Sequence, residues 1–151
     1  MPDAKTIARA QRDKRQGKSA STQAGEFVRE EIHHIREGKH GARSAKQAIA
    51  IGLSKARRAG VDLPVPKKGT TSERTRATAA RERKKSHRRQ RPVSRERSRA
   101  ILRALKHEGR AAASETALAR QAHAAAGRRT AKARSTAAKK AARTRARRRR
   151  S

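Results

Sequence analysis

Residue types that could do chemistry gather between positions 26 and 46. His33, His34 and His40 invite a metal reading, with Glu26, Glu30 and Glu37 close by in sequence. Adjacent helical residues point about 100° apart, so His33 and His34 cannot easily face one ion, and no metal or cofactor is expected. The three glutamates are expected on a polar helix face, pairing with Arg29, Arg36 or loop bases rather than acting as general acids or bases. No nucleophile, base and oxyanion arrangement can be assembled, so no enzyme is expected. The segment Gly38-Lys39-His40-Gly41-Ala42-Arg43 runs into Ser44, which with Gln47 satisfies the capping-box pattern. Free N–H groups and the helix dipole at such an end attract anions. Lys39, His40, Arg43, Ser44 and Lys46 therefore form a candidate phosphate-binding corner; an ordinary flexible loop before a capped helix is the alternative. Without Gly-x-x-x-x-Gly-Lys-Ser/Thr spacing it is not a P-loop.

The elements that would hold this corner are two amphipathic helices. Over about 22–37, Thr22 is the expected cap, Ala24, Val28, Ile32 and Ile35 recur at helical spacing, and Phe27 flanks the stripe. Gly38 offers a left-handed stop. From Ser44 to Gly60, Ala45, Ile49, Gly52, Leu53 and Ala56 share one face, and Gly52 would let the helices approach closely. Lys46, Gln47, Ser54, Arg57 and Arg58 lie opposite, making Arg57 and Arg58 further candidate contacts to nucleic acid. Glu31 and Ile51 break the pattern. Either they sit at the edge of a small core, or they mark a surface for another protein or a second copy, with Glu31 paired to a base. A helix-turn-helix would use a connection of three or four residues, shorter than this loop.

Beyond the hairpin the chain is basic. It holds 44 Lys plus Arg against 12 Asp plus Glu, a net +32 over 151 residues, and residues 63–151 carry 30 of the bases but five of the acids. Such a field favours a polyanion, and each phosphate neutralised releases counterions. Cysteine, tryptophan and tyrosine are absent and Phe27 is the only aromatic residue. That argues against aromatic stacking of single strands and leaves little core to bury. The expected fold is mostly α with extensive disorder, a small helical hairpin plus basic arms. It divides into a basic N-terminal arm at 1–21, a hairpin at 22–63, a basic linker at 64–93, a second helical segment at 94–127 and a disordered tail at 128–151. Residues 3–18 form either a solvated helix or an arm ordered by a partner. The tail has 12 bases and no acid, and Lys139, Lys140, Arg143, Arg145, Arg147, Arg148, Arg149 and Arg150 are its candidate phosphate contacts. No run is long and apolar enough for a membrane span, and nothing reads as a secretory signal, so a cytoplasmic, nucleoid-associated protein without membrane contact is expected.

Two stretches carry a family resemblance. Gln23-Ala24-Gly25-Glu26-Phe27-Val28-Arg29-Glu30-Glu31 and Lys46-Gln47-Ala48-Ile49-Ala50-Ile51-Gly52-Leu53-Ser54, with Gly38–Gly41 between them, resemble a family of uncharacterised small bacterial proteins over about 22–66. Ala104-Leu105-Lys106-His107-Glu108-Gly109-Arg110-Ala111-Ala112 looks like a second segment of it. The resemblance implies a domain boundary, a bacterial setting and, at most, a DNA-binding label. Ala138-Lys139-Lys140-Ala141-Ala142-Arg143 is similar in composition to linker-histone and histone-like tails. Double-stranded DNA, bound through its backbone with little sequence preference, is the partner expected. RNA-binding in a ribosome-associated protein, and a protein-interaction hairpin with a basic localising tail, are the rivals.

Overall fold

Hydroxyl side chains cap several helices of this chain, Ser19, Ser44 and Ser94 among them. A computed structural model describes residues 2–86 and 94–149, and among these the regular structure is helical throughout, without a strand. The helices are α1 (Ala4–Arg15), α2 (Ala20–Arg36), α3 (Ala45–Arg58), α4 (Glu73–Ser86), α5 (Arg95–Lys106), α6 (Glu115–Gly127) and α7 (Ala131–Arg148), with a 3-10 turn at Ala111–Ala113. The expectation of extensive disorder is corrected over these residues. The part of the expected linker at 87–93 lies outside them, as does Arg150.

Residues 1–114 form one compact unit and 115–151 a second. In the first, α2 is central. Ser19, three residues before the expected cap Thr22, starts the helix, its Oγ accepting from the Thr22 N–H. Gly38, at φ +77°, ends it in the left-handed conformation. Phe27 is fully buried with Ala10 of α1, Ala24, Ala56 of α3, Val61 and Leu63, and Ile7, Ala20 and Leu53 pack against that cluster. Both α1 and α3 rest on α2, so the buried arc of α2 is wider than one stripe and takes in Phe27 and Glu31 as well as Ile32 and Ile35. Residues 1–21, expected as an arm, thus include a helix packed in the bundle. Thr6, Ala10 and Asp13 are its buried residues, and Arg9 Nε meets Glu26 Oε2 at 2.6 Å.

The close approach expected at Gly52 is present. A Cβ there would stand 2.7 Å from Val28 Cα. The outward basic face expected for α3 is partly covered, because α4 packs on it. Ser54 Oγ donates to Glu82, Arg57 is only 7% exposed, and Arg57 Nη1 lies 4.0 Å from Glu82 Oε2. Helix α4 begins at the Ser72 cap, carries buried Ala79, and ties back through Arg83 Nε to Asp62 Oδ1 at 2.7 Å. Helix α5, capped by Ser94, buries none of its residues and leaves Ile101 and Leu102 exposed. Its C-terminal connection docks on the α2–α3 loop. The Gly41 and Ala42 N–H groups donate to the Leu105 and Gly109 carbonyls at 2.8 and 3.0 Å, and Arg36 Nε donates to the Ala113 carbonyl at 2.9 Å.

In the second unit, α6 is followed by α7, which starts at Thr130, whose Oγ1 accepts from the Ala133 N–H at 3.2 Å. The tail expected as disordered is helical from Ala131 to Arg148. Seven alanines in that stretch supply the propensity, alanine being the best helix former.

Candidate nucleic-acid interface

In the α2–α3 loop several backbone donors are taken within the chain. Besides the Gly41 and Ala42 bonds, the Arg43 N–H donates to Gln47 Oε1 at 2.8 Å and the Gln47 N–H to Ser44 Oγ at 3.2 Å. The capping box therefore forms with its return bond shifted one residue upstream, from Ser44 to Arg43. A Cβ on Gly41 would fall 1.8 Å from the Glu108 carbonyl oxygen, so the 105–110 segment fills the space where an anion would sit. The Gly41 side of the expected phosphate corner is thus occupied by the chain itself.

Its side chains disperse. Lys39 Nζ pairs with Glu37 Oε2 at 3.0 Å; the hydrogen bond holds the carboxyl below its usual range and the ammonium above its own. His40 is 9% exposed and turns inward, with Nε2 3.3 Å from Glu31 Oε1. Arg43 is 81% exposed in its side chain and reaches Glu108 Oε1 at 3.4 Å. Lys46 and Arg58 are exposed on α3, while Arg57 is buried under α4. Of the hairpin candidates, Lys39, Arg43, Ser44, Lys46 and Arg58 remain at the surface, Lys39 held by Glu37, and His40 and Arg57 do not.

Glu31 is not at an edge. It is completely buried, and Lys55 Nζ lies 2.6 Å from its Oε2. Glu30, expected on the polar face, is also buried, with Lys55 Nζ 3.9 Å from its Oε1. Lys55 is a site residue outside the expected set, and the spacing Gly52–Lys55–Ala56 is the signal that places it on the side of α3 toward α2.

Ten of the twelve acidic side chains form ion pairs within the first unit. The second unit has one acid, Glu115. Helix α7 has none, and its described side chains are exposed. At about 1.5 Å per residue its 18 residues extend about 27 Å, the rise of about eight base pairs. Lys132, Lys139 and Arg143 fall within about 40° of one another around that helix, Lys140 flanks them, and Arg145 lies on the other side. Arg149 is exposed just beyond the helix end. Arg147 and Arg148 belong to the helix, their side chains lying outside the described set.

Residues 13–69 match a family of unknown function (DUF6496). The matched segment runs from the end of α1 through α2, the loop and α3 to the approach to α4, and so includes Glu31, His34, His40 and Lys55. The stretch at 104–112 lies outside the match, although it packs against the matched loop. No curated protein and no solved structure gives a significant match. Among the described residues no helix is long and apolar enough to cross a membrane.

Proposed function

We propose that the protein is a histone-like, nucleoid-associated protein that binds duplex DNA through its phosphate backbone, with α7 as the principal contact and Arg43, Lys46 and Arg58 as supporting bases. The observation that carries this reading is α7, rich in lysine and arginine, free of acid and exposed at every described side chain. Its unit carries a single acid, Glu115, against 13 bases, and a row of cations along a helical rod matches a row of phosphates. Most acids of the first unit are engaged in its own ion pairs, which leaves the net positive charge at the surface. The tail's bases require no base-edge hydrogen bonds, so sequence preference is weak.

The test is a salt titration of the full chain on random duplex DNA, with structured RNA as competitor, beside the variant K132Q/K139Q/K140Q/R143Q. Loss of four phosphate contacts flattens the log–log salt slope by about 3 to 4. An unchanged slope removes α7 from the interface, and preference for the RNA moves the assignment to an RNA-binding, ribosome-associated role. A second reading, a protein-interaction module with a basic localising tail, draws on Ile101 and Leu102, exposed on an otherwise basic α5. A specific protein retained after nuclease treatment and released by I101S/L102S would favour it.

A further inference from the structure

We propose that the C-terminal half of α2 and the following loop form a binding site for a divalent transition-metal ion of the zinc class, with Glu31, His34 and His40 as ligands. Glu31 and His34 are three residues apart on α2 and so share a face. The loop turning at Gly38 brings His40 back over them. One ligand atom from each of the three residues lies within 4.8 Å of the other two. Glu31 Oε1 and His40 Nε2 are 3.3 Å apart, the spacing of two ligands each about 2.0–2.1 Å from a tetrahedral zinc ion. The two imidazoles meet edge to face, with centroids 6.3 Å apart.

The protonation logic of His40 supplies a second, independent argument. Its Nδ1 lies 3.1 Å from the Gly41 carbonyl oxygen, which can only accept, so Nδ1 carries the proton. In the neutral ring, Nε2 then presents a lone pair to Glu31 Oε1, two acceptors facing each other in a buried site. A cation between them removes the conflict. A histidine that donates one N–H to a backbone carbonyl and turns its other nitrogen inward has the arrangement that orients a metal-bound imidazole. Glu31 is fully buried and neither carboxylate oxygen receives a well-aligned hydrogen bond. The Lys55 ammonium, 2.6 Å from Oε2, balances charge on the side away from His40 and leaves Oε1 to the ion. Asp3 Oδ2, 3.7 Å from His34 Nε2, and buried Glu30 form a neighbouring acidic pair that shares His34. The site uses the histidine pair 34 and 40, not the adjacent 33 and 34.

The experiment is equilibrium dialysis of the tag-free full chain against zinc, with cobalt(II) absorption as a reporter of coordination geometry. One ion per chain is expected, with the intense visible bands of four-coordinate cobalt and a zinc-dependent rise in the thermal midpoint. H40Q and H34Q should each weaken binding by more than about 100-fold, because losing even an outer partner of a ligand weakens metal sites by about 10–100-fold. H33Q, at an exposed position of the same helix, should leave binding unchanged. Cobalt spectra of the unaltered chain keep the proposal testable if a variant fails to fold. Absence of a stoichiometric ion, six-coordinate aquo-like cobalt spectra, or binding lost equally in H33Q would overturn it.

Discussion

At Gly52 and Gly25 the same added methyl group would act in opposite directions. At Gly52 the new carbon would be 2.7 Å from Val28 Cα, backbone that cannot move without separating α2 from α3, whereas at Gly25 it would meet nothing. Gly52→Ala should therefore destabilise the bundle by about 1–3 kcal/mol, and Gly25→Ala should stabilise it by about 0.5–1 kcal/mol through helix propensity. Urea midpoints of the two variants check the signs. Lys55 makes a related point about charge. Replacing it with methionine strands the Glu31 carboxylate in the core, at a cost of about 3–5 kcal/mol, whereas the double variant Glu31→Gln with Lys55→Met should regain most of the loss. Chemical denaturation in chelator measures that cycle without a metal contribution. A double variant no more stable than the single one would mean that the pair is not coupled. Periodicity registers Glu31 as a break in an apolar stripe and can place Lys55 toward α2, but gives no sign that His40 turns inward to meet the same carboxylate.

Elements were legible where apolar spacing and caps agree, and illegible where polar residues do the packing. The α2 and α3 spans, the Ser44 cap, the Gly38 stop and the Gly52 contact follow from sequence because each is a local signal. The docking of α1 does not, since its buried face is Thr6, Ala10 and Asp13 with Ile7 alongside, two of them polar and one small. The cover of α4 over Arg57 depends on Glu82, 25 positions away, and the filling of the loop depends on carbonyls at 105 and 109. Neither leaves a periodic trace. The Ser44 cap gives a prediction at this scale. Ser44→Ala removes the acceptor for the Gln47 N–H and should cost about 1 kcal/mol, read as a lowered midpoint with an unchanged denaturant slope. A larger loss accompanied by a change in slope would show that Ser44 also holds the loop against residues 105–110.

Across the whole molecule, charge and stability are divided between the two units. The first unit has the apolar cluster around Phe27, the buried ion pairs and the family match. The second, from Glu115 to Ser151, has 13 bases and one acid, and among its described residues none is buried. Composition made the surplus of positive charge plain from the outset; it did not show that the acids are absorbed by the first unit's own pairs. A chain ending at Ser114 should then keep the unfolding midpoint of the full chain, because none of the described residues it loses is buried. Its binding to duplex DNA should change much more. If about ten tail phosphate contacts disappear, the log–log salt slope should flatten by about 9. An unchanged midpoint with an unchanged slope would mean that the exposed bases of the first unit, Arg43, Lys46 and Arg58 among them, carry the binding. A lowered midpoint would mean that the basic tail stabilises the bundle, since removing a merely cationic segment relieves repulsion and cannot destabilise what remains.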